Sequence, residues 1–138
     1  MIIATESRTT KVTPERIWQV WSDVKNWKTW DNQVEFSELS GPMSNGISGV
    51  LKPSGGPKTR FIVSDCIENK CFTSISSLPL CRMKFIHTIE DKEQRRVVTH
   101  RIEMVGPLTF LFSRILGPKI KEGLPDALDN LIFNAENI

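Results

Sequence analysis

From Gln33 to Glu103 the chain repeats one pattern, in which short runs of strand-forming residues alternate with turn formers. The turns fall at Gly41-Pro42, Asn45-Gly46, Pro53-Ser54-Gly55-Gly56-Pro57, Glu68-Asn69-Lys70, Leu78-Pro79 and Asp91-Lys92-Glu93-Gln94. They delimit six strands near residues 33–40, 46–53, 59–67, 70–78, 81–90 and 95–105. No helical pattern interrupts them, so the sheet is expected to be an antiparallel meander. Such a sheet needs a second layer over its apolar face, and the two ends of the chain supply it.

Residues 2–12 suit a first strand. Thr13 can then cap a helix that starts at Pro14, where a missing N–H costs nothing. Ile17, Val20, Trp21 and Val24 give that helix an apolar face. Asp23 reads as the N-cap of a second short helix carrying Trp27 and Trp30, neighbours at a spacing of three. After Gly106-Pro107 the pattern is helical to the end. Leu108, Leu111, Phe112 and Ile115 form one stripe, and Ile120, Leu124, Leu128, Leu131 and Ala135 a second. Gly117-Pro118 between them predicts a kink or break, and Pro125 a milder distortion. The expected fold class is α+β: a strand, two short helices, six strands and a long C-terminal helix.

The last two strands can be paired across the Asp91–Gln94 turn. Ile89 then faces Arg96, His87 faces Val98, Phe85 faces His100 and Met83 faces Ile102. Period-two alternation separates two faces. Met83, Phe85, His87, Ile89, Val98, His100, Ile102 and Met104 point inward. Arg82, Lys84, Thr88, Glu90, Arg95, Thr99, Arg101 and Glu103 point to water. A slip of two residues preserves this division and a slip of one inverts it. Both histidines of the protein, His87 and His100, thus lie on the apolar face, on adjacent strands and diagonal to each other. Desolvation there favours neutral imidazole, with one donor and one acceptor each. Such rings can be satisfied core groups, can orient a ligand's carbonyl or hydroxyl, or can serve as acid and base.

With 138 residues the chain fits one domain, 1–138, and needs no staple to hold its core. A net charge of +2 with scattered basic residues leaves no footprint for nucleic acid. Cys66, Cys71 and Cys81 are odd in number and lack metal-ligand spacing. Cys66 and Cys71 can face each other across a hairpin, but read as reduced strand residues. No cofactor or metal site is expected. Met1-Ile2-Ile3-Ala4-Thr5-Glu6 lacks the basic flank and apolar run of a signal peptide. No stretch approaches the ~20 apolar residues of a membrane span, and a cytoplasmic location is expected. Trp18, Trp21, Trp27 and Trp30 can form a stacking platform or seal one end of the sheet, with Trp30 at the pocket edge. Gly55-Gly56 lacks the following helix and lysine of a phosphate cradle and reads as a hairpin turn. Lys119, Lys121 and Glu122 read as a solvated helix face, and Asp65 is a carboxylate without an assigned place. No Cys–His or Ser–His–Asp signature is visible.

The order of elements, together with Thr13-Pro14-Glu15-Arg16-Ile17-Trp18, Asp23-Val24-Lys25-Asn26-Trp27-Lys28-Thr29-Trp30-Asp31, Leu51-Lys52-Pro53-Ser54-Gly55-Gly56-Pro57 and Gly106-Pro107-Leu108, resembles the START-like (SRPBCC) superfamily. Within it the chain looks like the polyketide cyclase/dehydrase-like branch. The resemblance implies a helix-grip fold, a seven-stranded curved antiparallel sheet around the C-terminal helix with a ligand cavity between them. The residues alone leave a pocket and a solid core of Met, Phe and Leu side chains equally open. A dry void of ~300 Å³ costs ~7 kcal/mol, against a whole stability of ~5–15 kcal/mol. A large cavity must therefore be hydrated, filled by ligand or offset elsewhere.

The leading expectation is a carrier or sensor for a small hydrophobic molecule such as a lipid, polyketide or aromatic. Met83, Phe85, Ile102 and Met104 on the sheet, Leu111, Ile115, Leu124 and Leu128 on the helix, and Trp30 would touch it. His87 and His100 would orient it. The alternatives are a cyclase or dehydratase using His87 or His100 as base, and a protein-interaction domain with a vestigial pocket. Oligomeric state is not legible.

Overall fold

The computed structural model describes residues 1–138. Strand β1 (Ile2–Thr10) leads into helix α1 (Pro14–Ser22) and a short 3₁₀ helix (Val24–Thr29). Six strands come next: β2 (Val34–Leu39), β3 (Ser48–Pro53), β4 (Thr59–Ile67), β5 (Cys71–Leu78), β6 (Cys81–Lys92) and β7 (Arg95–Val105). Helix α2 (Thr109–Glu136) closes the chain. The sheet order is β1-β7-β6-β5-β4-β3-β2, with every neighbouring pair antiparallel. Register shifts between Ile2 and Ala4, Val34 and Phe36, and Ser64 and Ile67 mark irregularities of the kind that bend strands and curl a sheet. The curled sheet holds α2 in its concavity, the helix-grip arrangement.

Local rules explain how the short helices start. Thr13 Oγ1 accepts from the Arg16 N–H at 3.4 Å and Pro14 occupies the first helical position. Asp23 behaves differently from the expected cap. Its carboxylate accepts from the Asn26 side chain at 2.8 Å and caps no backbone N–H, so the next segment is a 3₁₀ turn that ends at Trp30.

The β6–β7 pairing differs by two residues from the simple reading. Met83 faces Met104, Phe85 faces Ile102, His87 faces His100 and Ile89 faces Val98. The strands extend to Lys92 and Arg95 because Glu93 adopts φ 60°, which permits a two-residue turn. The inward and outward sets are unchanged, but the two histidines sit directly opposite each other rather than on a diagonal. The bulge in β4, where Asp65 has φ 49°, likewise sets Ile67 rather than Cys66 opposite Cys71. All three thiols are free.

Helix α2 runs unbroken for 28 residues through Pro118 and Pro125. Pro118 lies on the solvent side, where the carbonyl it leaves unbonded can take water. The inner face of the first half is Phe112, Leu116 and Ile120, packed with Ile3, Cys81, Ile102, Met104 and Leu124. Leu111, expected on that face, is exposed on the outer side of the helix, and Ile115, also exposed, stands at the edge of the inner face. The second half buries Ala127, Leu128, Leu131 and Ala135 against the aromatic residues of α1, the 3₁₀ helix, β4 and β5. The core is thus in two parts.

Candidate functional site

Between the two parts lies a cavity of about 440 Å³. Its sheet wall is Phe61, Ser74, Ser76, Leu78, Met83, Phe85, His87, His100 and Ile102, and its helix wall is Leu116, Ile120, Leu124 and Ala127. Phe72, Ser74 and Ser76 alternate inward on β5, all buried. The two serines leave room that larger side chains would fill. Small residues on the inward face of a central strand are thus what opens the space.

The inner end is aromatic. Phe72 stacks on His87 with ring centroids 4.0 Å apart and planes within 5°. His87 and His100 meet edge to face at 4.7 Å, and Trp21 packs against both. Trp27 stacks on Phe61 and Phe72. The indole N–H of Trp27 donates to the Trp21 carbonyl at 2.8 Å, and that of Trp21 donates to His100 Nε2 at 3.2 Å.

These bonds settle both imidazole tautomers. An indole N–H only donates, so His100 Nε2 carries the lone pair and its proton sits on Nδ1. A carbonyl only accepts, so His87 Nδ1, 3.2 Å from the Phe72 carbonyl, carries the proton and Nε2 carries the lone pair. His87 Nε2 and His100 Nδ1–H form no hydrogen bond within the protein. Burial lowers His87 to a pKa of about 4, with the Phe72 and Phe85 carbonyls opposing that fall in part. Burial also pushes His100 well below its usual value, and proximity to His87 adds to the effect. Both rings are neutral near pH 7. They offer the cavity one acceptor and one donor side by side.

The other end is a mouth. Ile115 and Lys119 on α2 and the β3–β4 turn from Ser54 to Pro57 surround it. Lys119 Nζ donates to the Ser54 carbonyl at 2.6 Å, and Gln33 Nε2 donates to the Lys119 carbonyl at 2.7 Å. Gly123 allows this approach: a Cβ there would stand 2.4 Å from Gln33 Nε2. Lys119 is therefore more than a solvated helix charge, since it straps the turn to the helix. Asp31 lines the cavity near this side, and burial raises its pKa against the opposing hydrogen bond from the Gln33 N–H. Trp30 is buried at the cavity wall, and its Nε1–H has no partner.

Of the residues singled out from sequence, Trp30, Met83, Phe85, His87, His100, Ile102, Ile115 and Leu124 line the cavity. Three do not. Met104 and Leu128 are fully buried in the two core clusters, and Leu111 is exposed on the outer side of α2. Sequence reasoning missed Asp31, Gln33, Ser74, Ser76 and the role of Lys119. The inward period of β5 was available to find the serines. The Trp21–His100 bond had no sequence signal. No three His, Cys, Asp or Glu side chains come together in a group that could hold a metal, and no helix is long and apolar enough to cross a membrane.

Several solved structures share this architecture. The hypothetical protein jhp0584 of Helicobacter pylori superposes with a TM-score of 0.75 at 9% identity, covering 95% of this chain and 86% of that one. TTHA0849 from Thermus thermophilus gives 0.72 at 13% identity, covering 97% of both chains. StfQ, a di-domain ARO/CYC from the steffimycin biosynthetic pathway, gives 0.77 at 12% identity over 99% of this chain and 51% of StfQ. At these identities the likeness is one of fold. No curated protein matches the sequence. The family model described as polyketide cyclase / dehydrase and lipid transport, however, matches residues 1–136, and the chain belongs to that family.

Proposed function

We propose that this chain acts as a single binding unit that takes one small, largely apolar molecule into the cavity, with a polar group of that molecule turned toward His87 and His100. The observation that carries the reading is the composition of the inner end. An apolar wall is interrupted there by one free acceptor, His87 Nε2, beside one free donor, His100 Nδ1–H. A carbonyl or hydroxyl on a lipid, polyketide or aromatic matches that pair. Met83, Phe85, Ile102, Leu124, Ile115 and Trp30 supply the apolar contacts. The size of the space also supports it, since about 440 Å³ falls within the range of small-molecule sites. Left dry, that volume would cost about 10 kcal/mol, so an occupant or water is required on energetic grounds. Native mass spectrometry of gently purified protein, with displacement of a fluorescent apolar probe, tests the proposal. Saturable one-site binding, weakened by His87→Leu for ligands bearing a carbonyl or hydroxyl, is expected. Absence of both a co-purifying molecule and saturable probe binding would sink it.

One observation favours a second reading, a cyclase or dehydratase. A neutral imidazole with an unengaged lone pair is competent to remove a proton, and His87 Nε2 is such a group. On this reading His87→Ala or His100→Ala abolishes turnover of a poly-β-keto thioester analogue while binding stays within a few-fold. Loss of binding with no turnover to lose would leave only the carrier.

A further inference from the structure

The first half of α2 turns an unusual face to solvent. Phe110, Leu111, Arg114, Ile115, Pro118 and Lys119 are all exposed, at spacings of one and four that place them on one side of the helix. Phe110 is 63% and Ile115 62% exposed, values that core packing does not explain. Beside them stands the β5–β6 turn. Its tip, Leu80, is 66% exposed and holds φ 52°, a left-handed conformation that costs a leucine more than it would a glycine or asparagine. The Leu80 carbonyl accepts from the Leu108 N–H at 3.1 Å, so the tip is fixed against the start of α2. Gly106, at φ 135°, makes that approach possible, because a Cβ would lie 2.5 Å from the Leu80 oxygen.

The charge on this half of α2 is mainly basic. Residues 106–121 carry Arg114, Lys119 and Lys121 and no acid, and residues 78–89 carry Arg82 and Lys84 and no acid. The exposed Glu122 follows directly, one residue past Lys121, and Glu103 faces Lys84 across the strands and is engaged by Arg101 at 3.1 Å. Exposed phenylalanine, leucine and isoleucine interspersed with Arg114, Lys119 and Lys121 along one helix side is the pattern of a surface that lies in the headgroup region of an anionic bilayer. Ile115 and Lys119 belong both to this face and to the cavity mouth.

We propose that the protein docks reversibly on an anionic lipid surface through the Leu80 turn and the outer face of α2 from Phe110 to Lys121, with the cavity mouth held at the bilayer edge. The inference goes beyond uptake into the cavity and stands on different residues, Leu80, Phe110 and Arg114, none of which lines it.

Flotation of the full chain with phosphatidylcholine vesicles, with and without phosphatidylglycerol, tests the proposal. Binding to the phosphatidylglycerol vesicles is expected, falling steeply with added salt and about tenfold or more with Arg114→Glu, which reverses a charge near the surface. Phe110→Asp and Leu80→Asp are expected to abolish it. These side chains are solvent-exposed, and aspartate tolerates the backbone at position 80, so melting temperature and apolar-probe uptake should match the wild type. Failure to float with anionic vesicles, or flotation that Phe110→Asp leaves unchanged, overturns the proposal. So does concentration-dependent self-association in sedimentation that Phe110→Asp removes, since this face would then join two copies. Because probe uptake is read separately, a failure here is distinguishable from a failure of the cavity as a binding site.

Discussion

The two ends of the cavity follow opposite designs. At the inner end, Trp21, Trp27, Phe72 and both histidines interlock, and the indole and imidazole nitrogens that face the protein are hydrogen-bonded. At the mouth, a turn of serine, glycine and proline meets a half-exposed helix, and side chain–backbone bonds from Lys119 and Gln33 join the parts. Low packing density with few bonds is where local opening concentrates. On the proposed function, the contrast gives recognition to the rigid, desolvated end and admission to the loose one. Three measurements can break that division.

The largest effect concerns protons. In the unfolded chain His87 titrates near its ordinary value of 6.5, and in the folded chain near 4. Between those values the unfolded chain binds a proton that the folded chain refuses. His87 therefore contributes its full stability above pH 6.5 and loses it as pH falls toward 4. The gap corresponds to about 3 kcal/mol, and His100 acts in the same direction. Asp31 works oppositely, because its raised folded pKa favours folding as acid is added. Comparing urea denaturation of the wild type with that of His87→Phe isolates the histidine. The wild type should lose stability across this window, and the variant should lose less. Equal slopes would mean that the inner end is wet, and the rigid half of the comparison would fall.

The second effect is steric. Ser76 is buried on the inward face of β5 and points to the cavity. Ser76→Phe should fill the space, lowering apolar-probe affinity at least about tenfold while changing stability by no more than about 1 kcal/mol, because the volume already exists. A loss of stability of several kcal/mol would show instead that the site is packed and that the cavity lies elsewhere. Fluorescence titration and thermal melting read the two outcomes independently.

The same contrast explains which features the amino-acid order discloses. Turns were legible because glycine, proline and asparagine write them locally, so strand limits fell within a few residues. Faces were legible because alternation has a period of two. Register was not, since the tight β6–β7 turn uses Glu93 in a left-handed conformation that no glycine announced. The phase of α2 was ambiguous because its first half is apolar nearly all round, with Phe110, Leu111, Phe112, Ile115, Leu116 and Ile120 crowding every side. Only packing chose Phe112, Leu116 and Ile120 as the inner face, and it carried the helix through Pro118. The histidine pair was visible from alternation, whereas the cavity beside it depends on what Ser74 and Ser76 lack. Hydrophobic patterning registers bulk and does not register missing bulk.

The smallest effect tests the mouth. Lys119→Met keeps most of the apolar stem and removes the bond from Nζ to the Ser54 carbonyl. The site is exposed, so the change in unfolding free energy should stay below about 1 kcal/mol. The turn from Ser54 to Pro57 would nonetheless lose its tie to α2, and the Gln33 bond to the helix backbone alone would remain. Stopped-flow mixing with an apolar probe should then show association and dissociation accelerated together, with affinity nearly constant, because the inner end, the holding site on the proposed function, is untouched. Unchanged rates would mean that the strap does not limit admission, and a change in affinity without a change in rates would move recognition out to the mouth.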